Sequence, residues 1–254
     1  MVIGKLKGGL GNFLFQIASQ YSLSLDNNVK YIIDLNRIWE VHSPLSSYED
    51  NILRNVEISN NLICSDNYLY DSLDYKSIPY IKNCAYDGYF QSEKYWEGKK
   101  DKILELFKID KDTLEYLSDR FPEIVNNNNT CSIHVRRSNY LKVNFFNHLG
   151  MDYYNKAIDE VGRDKHFVIF SDDIAWCKDN FKDINATFIE GQKDYMDIYL
   201  MSLCKDNITA NSTFSWWGSY LNMNPNKKVV TPKIWFAHSH SNEDVPPQSW
   251  IKII

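Results

Sequence analysis

Two adjacent arginines follow a short β-branched run that has the composition of a buried strand. The run is Cys131–Val135, which contains His134, and Arg136 and Arg137 come directly after it. Arginine carries a planar, permanently charged group with a geometry suited to phosphate oxygens. A surface ion pair with a nearby carboxylate is the alternative for either arginine alone. Two arginines together at a strand end, in a chain with a net charge of -5, favour an anion-binding site.

Two carboxylates end the next predicted strand along the chain. Asp172 and Asp173 follow the apolar run His166–Phe170. At a strand end, a carboxylate can accept hydrogen bonds from a ribose or from the N–H edge of a base. It can equally cap the helix that follows. We expect one of the two aspartates to be structural and the other functional, and the sequence leaves open which is which.

Hydroxyl side chains mark a third strand end. Ser212 and Thr213 lie between the predicted strand 207–210 and the predicted helix that contains Trp216 and Trp217. Hydroxyls and free amides at a helix N-terminus form an anion site, although both residues could be ordinary helix caps. We expect the tryptophan pair to lie in the core.

The N-terminal segment has a glycine-rich turn between a strand and a helix. Gly8, Gly9 and Gly11 do not fit the GxGxxG dinucleotide fingerprint, and the chain has no Walker A motif. Such a turn can exist only to let the chain reverse. The strand 2–6, the helix 13–25 and the strand 30–35 around it read as one βαβ unit.

Regular alternation of strands and helices resumes after the asparagine run 126–129. Short connections between alternating elements predict a parallel sheet covered on both faces, and ligands of such sheets bind at the carboxyl ends of the strands. We therefore predict an α/β protein with two facing Rossmann-type domains. The N-terminal domain is expected to span 1–126 and the C-terminal domain 130–254.

Bulk composition excludes several classes of protein. The chain has 254 residues, of which 44% are hydrophobic. Its negative net charge argues against binding nucleic acid through a general basic field. No window approaches the length of apolar sequence that crosses a membrane, and no signal peptide is visible. Five scattered cysteines suit reduced thiols, so we expect a cytoplasmic protein.

Five segments in this order resemble glycosyltransferase family 11, the α-1,2-fucosyltransferases. They are GGLGNFLFQIA, GYFQSEKYW, HVRRSNY, FSDD and NSTFSWWGSYLN. The resemblance extends from Gly8 to about Trp235. It implies a GT-B-like fold, GDP-L-fucose as the donor and a glycan with a terminal galactose as the acceptor. It also implies that the N-terminal domain serves the acceptor and the C-terminal domain binds the donor, in an enzyme soluble in the cytoplasm or peripheral at the membrane.

The resemblance also assigns roles to residues. Arg136 would be catalytic and would grip the β-phosphate of GDP, and Arg137 would support it. His134 would lie against the nucleotide, and one of the two aspartates would read the guanine edge. The remaining donor-binding residues are expected to hold phosphate oxygens or to approach the donor from the first domain. They are Ser212, Thr213 and Ser215 in the first group and Gly9, Gly11 and Asn12 in the second.

One position departs from the family pattern. The family usually has an aspartate two residues after the arginine pair, and Asn139 stands there in this chain. Asparagine would still be able to orient an arginine, but it would not act as a general base. The general base is therefore unassigned. Glu93 is one hypothesis for it, with a helix-start carboxylate as the alternative.

No cofactor is expected, and we expect the reaction to be independent of metal. The Asp110–Asp112 pair lies between predicted helices rather than at a strand end. The predicted activity is inverting transfer of L-fucose to a galactoside hydroxyl. The alternatives are an α-1,6-type fucosyltransferase and a non-catalytic protein that binds glycan or nucleotide.

Overall fold

A computed structural model describes residues 1–138, 140–237 and 243–254. The chain divides into two compact units, Met1–Ile109 (unit 1) and Asp110–Ile254 (unit 2). The described part contains no helix that is both long and apolar enough to span a bilayer.

Unit 1 is built on a sheet that has five parallel strands within the described residues. Their order is β3-β2-β1-β5-β4. The strands are β1 (Val2–Gly8), β2 (Tyr31–Val41), β3 (Ile58–Ser59), β4 (Asp66–Leu69) and β5 (Cys84–Asp87). The helices of this unit are α1 (Leu10–Asp26) and α2 (Lys100–Leu106).

The predicted βαβ unit is confirmed as β1, α1 and β2. Phe13, Leu14 and Ile17 of α1 are fully buried, as their helical spacing requires. The buried amide of Gln16 accepts from the backbone N–H of Lys7 and donates to its carbonyl, both at 3.0 Å. This pair of hydrogen bonds ties the helix to the end of β1.

Unit 2 has a sheet of six parallel strands in the described part of the chain, in the order β11-β10-β9-β6-β7-β8. The strands are β6 (Thr130–Val135), β7 (His166–Ser171), β8 (Ala186–Phe188), β9 (Asp206–Ile208), β10 (Val229–Pro232) and β11 (Ile251–Ile253). The chain runs from β6 outward to β8 and then returns to place β9 on the other side of β6. The strand order therefore reverses between β6 and β9, which is where open α/β sheets bind ligands.

Six helices belong to unit 2 among the described residues. They are α3 (Lys111–Arg120), α4 (Pro122–Val125), α5 (Met151–Val161), α6 (Ile174–Asn180), α7 (Asp194–Leu203) and α8 (Thr213–Tyr220). Both α3 and α4 pack against α7. The units consequently divide before α3, at Ile109, rather than at the asparagine run 126–129 that the sequence suggested. The predicted acceptor and donor roles of the two parts stay predictions.

The core of unit 2 surrounds β6. Every residue of this strand is buried, because neighbouring strands cover both edges and helices cover the sheet. Ile133 and Val135 lie in the same apolar cluster as Tyr153 and Tyr154 of α5. The first residues after β6 are thus held by a rigid central strand.

Candidate active site

Three strand ends of unit 2 carry the polar residues that the sequence analysis selected. β6 lies between β7 and β9, and the three strands are parallel, so their carboxyl ends meet at one edge of the sheet. The residues at this edge are His134 near the end of β6, Arg136 and Arg137 just after it, Asp172 and Asp173 after β7, and Ser212 and Thr213 after β9.

Arg136 forms an ion pair at this edge and remains partly open to solvent. Its Nη1 lies 3.2 Å from Oδ2 of Asp172, and its side chain is 26% exposed. The guanidinium also lies 5.3 Å from the ring centroid of Tyr140, within the range of a cation–π interaction. A charged group that is positioned but still accessible suits the recognition of an anionic ligand.

Arg137 is held more completely by its neighbours. Its backbone N–H donates to Oδ1 of Asp172 at 2.9 Å, and its Nε donates to Oδ2 of Asp173 at 3.2 Å. Its guanidinium carbon lies 4.0 Å from the centroid of the Trp176 ring. Both arginines therefore form the ion pairs that the sequence analysis kept as an alternative, and these pairs also orient the side chains.

The two aspartates differ in what they hold. Asp173 is the N-cap of α6, because its Oδ1 accepts from the backbone N–H of Trp176 at 3.2 Å. Asp172 instead joins the side chain of Arg136 to the backbone of Arg137. The helix-cap interpretation is confirmed for Asp173, and recognition of guanine by either aspartate stays a prediction.

His134 is a buried, neutral imidazole near the end of β6. Burial, with a smaller contribution from the charge of Arg136, lowers its pKa to about 3. Its ring centroid lies 5.4 Å from that of Phe214. Among the described residues, its Nδ1 has no hydrogen-bond partner. Because buried polar atoms are nearly always paired, this atom fits a position completed by water or ligand.

The start of α8 offers backbone amides rather than free hydroxyls. Ser212 is the N-cap residue, but its side chain forms a hydrogen bond with Tyr140. The Ser215 hydroxyl donates to the carbonyl of Ser212 at 3.2 Å. Thr213 is the first residue of the helix and is half-buried. The predicted contacts of these three residues with phosphate stay predictions, and the helix N-terminus itself suits an anion.

Trp216 and Trp217 are fully buried, as predicted. The Trp216 indole donates to the carbonyl of Val245 at 2.8 Å. This packing anchors α8 and thereby its N-terminus.

Tyr140 is a site residue to which the sequence analysis assigned no role. It contacts both Arg136 and Ser212, and its ring stacks on Phe146 with centroids 3.7 Å apart. Burial raises its pKa to about 12. The sequence signal that could have identified Tyr140 is its fixed spacing from the arginine pair in the HVRRSNY segment. Asn139, the position that departs from the family pattern, lies outside the described residues.

The glycine turn lies in unit 1. Gly8 has a φ of +90°, and a Cβ there would come within 2.5 Å of Nδ2 of Asn12. Gly9 precedes α1 and Gly11 is buried in its first turn. Oδ1 of Asn12 accepts from Nε2 of Gln91 at 3.1 Å. The approach of Gly9, Gly11 and Asn12 to a donor stays a prediction.

Two further carboxylates have structural positions. Asp110 caps α3, accepting from the N–H of Thr113 at 2.8 Å. Glu93 begins a short 3-10 helix, Glu93–Trp96, and burial raises its pKa. The described residues contain no group of His, Cys, Asp or Glu side chains arranged to hold a metal ion, and independence of metal stays a prediction.

The sequence model of glycosyl transferase family 11 matches residues 5–254. The chain belongs to glycosyl transferase family 11. This family 11 chain is 31% identical to the O-antigen biosynthesis glycosyltransferase WbnK of Escherichia coli, over 98% of the chain and 99% of the relative. It is 30% identical to an α-1,2-colitosyltransferase of Escherichia coli, over 100% of the chain and 99% of the relative. The protein is therefore a glycosyltransferase.

Solved structures show the same fold at low sequence identity. The fucosyltransferase NodZ from Bradyrhizobium has a TM-score of 0.56 and 13% identity, covering 85% of the family 11 chain and 91% of NodZ. POFUT1 in complex with GDP-fucose has a TM-score of 0.53 and 10% identity, covering 89% of the family 11 chain and 94% of POFUT1. The predicted GT-B-like fold with two parallel-sheet α/β domains is confirmed.

Proposed function

We propose that this family 11 enzyme is an inverting α-1,2-fucosyltransferase that moves L-fucose from GDP-L-fucose to a hydroxyl of a terminal galactose. The observation that carries the proposal is the position of Arg136, a partly open guanidinium at the carboxyl end of the central strand β6. Tyr140 contacts both Arg136 and Ser212, the residue immediately before α8. A permanent cation and a helix N-terminus together suit a diphosphate leaving group.

The chemistry follows from where charge develops. The acceptor oxygen forms a bond to the anomeric carbon of fucose on the face opposite to GDP. The bond from that carbon to the β-phosphate oxygen breaks, and GDP leaves with the electron pair. Arg136 and the amides of α8 stabilise this negative charge in the transition state. The acceptor hydroxyl gives up its proton to a general base. We assign none of the described residues to this role.

Arg137 has a positioning role in this proposal. Its backbone and side chain are engaged by Asp172, Asp173 and Trp176. Those interactions keep the connection after β6 fixed against β7. Arg136 consequently meets the leaving group with little reorganisation, which is the condition for electrostatic catalysis.

A second donor is a specific alternative. One curated relative is named as an α-1,2-colitosyltransferase, so transfer of nucleotide-activated colitose competes with transfer of fucose. The solved neighbours include an α-1,6-fucosyltransferase co-crystallised with GDP, which keeps the α-1,6 linkage as a second product to test. The similarity to the O-antigen biosynthesis glycosyltransferase WbnK supports an oligosaccharide of O-antigen type as the acceptor.

We also propose that the enzyme works in the cytoplasm, dissolved or peripheral at the membrane. The five cysteines all lie in the described ranges, and each is free. Free thiols are what a reducing compartment maintains.

Incubation with GDP-L-fucose or nucleotide-activated colitose, each with a panel of galactosides, tests the proposal. We expect release of GDP from GDP-L-fucose only with a terminal galactoside, and a product whose NMR spectrum shows an α-1,2 linkage. Preferential use of colitose, or an α-1,6 product, supports the corresponding alternative. Binding of GDP without transfer to any acceptor would indicate a non-catalytic protein and contradict the proposal.

A further inference from the structure

We propose that unit 1 carries a subsite for an anionic group on the acceptor glycan. The subsite consists of Lys5 and Lys7 of β1, Trp39 of β2 and Tyr89 just after β5. We call it the lysine–aromatic subsite. It deepens the proposed function, since it concerns which acceptor the transferase selects.

The sheet register brings these residues to one place. Lys5 and Lys7 are two positions apart, so their side chains leave the same face of β1. Lys7 is paired with Trp39 in the register of β1 and β2. Gly4 is paired with Tyr86 of β5, which places Lys5 beside Asp87. Lys7 and Trp39 lie toward the carboxyl ends of β1 and β2, and Tyr89 follows the carboxyl end of β5, the edge at which parallel sheets bind ligands.

Positive charge exceeds negative charge at the lysine–aromatic subsite. Lys5 Nζ lies 3.1 Å from Oδ2 of Asp87, and Lys7 Nζ lies 3.0 Å from Oδ1 of the same carboxylate. Their side chains are 17% and 18% exposed, and that of Asp87 is 12% exposed. Two ammonium groups thus share one carboxylate among the described residues. At such limited exposure, water screens the excess positive charge poorly, and an anionic ligand would neutralise it.

Aromatic rings border both ammonium groups. Lys5 Nζ lies 4.6 Å from the ring centroid of Trp39, and Lys7 Nζ lies 4.7 Å from that of Tyr89. Both rings are half-buried, so part of each remains accessible. A flat apolar ring beside a cation suits a sugar that presents C–H groups on one side and a negative charge on the other.

The ligand chemistry is an anion carried by the acceptor. It can be the carboxylate of an acidic sugar or a phosphate through which the glycan is attached. Either group accepts charge-assisted hydrogen bonds from ammonium donors. The alternative is that Lys5, Lys7 and Asp87 only hold β1 against β5. In that case the enzyme should bind neutral and anionic acceptors with equal affinity.

Three versions of one galactoside acceptor test the inference: a neutral form, a form with a neighbouring uronic acid, and a form with a phosphodiester at the reducing end. We expect the wild-type enzyme to bind one anionic form about ten- to a hundredfold more tightly than the neutral form, the range for a hydrogen bond to a charged group. The favoured form identifies the source of the anion. The readouts are KM for transfer and Kd from calorimetry.

Lys7→Gln is the informative variant. Asp87 keeps its ion pair with Lys5 at 3.1 Å, so no buried carboxylate is left without a partner. We expect this variant to lose most of the preference for the anionic acceptor through KM, with kcat for the neutral acceptor unchanged. Lys7→Arg should restore the preference. Lys30→Gln is the control, because it removes an equal charge from an exposed residue of the same unit.

Equal affinity of the wild-type protein for neutral and anionic acceptors would overturn the inference. So would a Lys7→Gln variant that weakens all three acceptors by the same factor. If Lys7→Gln fails to fold, as judged by its melting temperature, Lys5→Gln provides the same comparison. Calorimetry reports on the subsite even without transfer, so failure of the proposed function and failure of the subsite give different results.

Discussion

Replacement of Arg136 by alanine should separate catalysis from stability. The variant loses an ion pair to Asp172 at 3.2 Å, between side chains that are 26% and 19% exposed, and the cation–π contact with Tyr140 at 5.3 Å. An ion pair this accessible contributes about 1 kcal/mol or less, and the cation–π contact contributes about 0.5–1 kcal/mol. Asp172 still accepts the backbone N–H of Arg137 at 2.9 Å and is not left without a partner. We therefore expect a melting temperature lower by about 2–8 °C.

Activity should fall far more than stability does. If Arg136 stabilises the charge on the departing β-phosphate, its removal should lower kcat by about 10²–10³-fold. The assay is the initial rate of GDP release from GDP-L-fucose with a terminal galactoside, measured beside a thermal melt. Arg163→Ala is the matched control, because it removes an equal charge from an exposed arginine paired with Asp159.

Arg137→Ala provides the contrast. It removes the hydrogen bond to Asp173 and the stacking on Trp176, and we expect about 2 kcal/mol of destabilisation. An Arg136→Ala enzyme with kcat within about tenfold of wild type would refute the assignment of Arg136. A loss of activity that is the same in both arginine variants, and that follows their melting temperatures, would refute the separation of roles.

Three further predictions follow from the same structure. His134 has a pKa of about 3 in the folded protein against an ordinary value of about 6.5, so below pH 6.5 the unfolded state binds more protons. Denaturant titrations should therefore show about 2 kcal/mol less stability at pH 5 than at pH 7 from this residue, and His134→Gln should lack that part of the pH dependence; an unchanged dependence contradicts the burial argument. Gly8→Ala should destabilise by about 1–3 kcal/mol in urea unfolding, because of the φ of +90° and the 2.5 Å approach to Asn12. Gly9→Ala, at a φ of -91°, should cost less, and the opposite order would be inconsistent with a backbone cause. EDTA should leave the rate of transfer unchanged, and recovery of lost activity only by added Mg²⁺ or Mn²⁺ would show that metal is required.

Some elements escaped prediction because they are too short to have a period. β3 has two residues, β11 has three, and β5 has four that are all buried. A strand of this length has no alternation to read. Each is stabilised by pairing with a neighbouring strand, which lies far away in the sequence.

Within the site, Asp172 and Asp173 show what the sequence alone leaves undecided. Two adjacent carboxylates after a strand are compatible with either a cap or a ligand contact. The structure makes Asp173 the cap because α6 begins at Ile174. Asp172 then faces the residues after β6. The exact start of a helix is set by its packing, and sequence signals locate it only approximately.

By itself, the sequence determined the α/β class, the parallel sheets and the strand ends at which polar residues collect. These are local properties, since hydrophobic period and turn chemistry act over a few residues. Only the tertiary structure decided which residues meet, as with Tyr140 beside Ser212 and Lys5 beside Asp87. The order of strands in a sheet brings together positions that are distant along the chain, and that order results from packing of the whole domain.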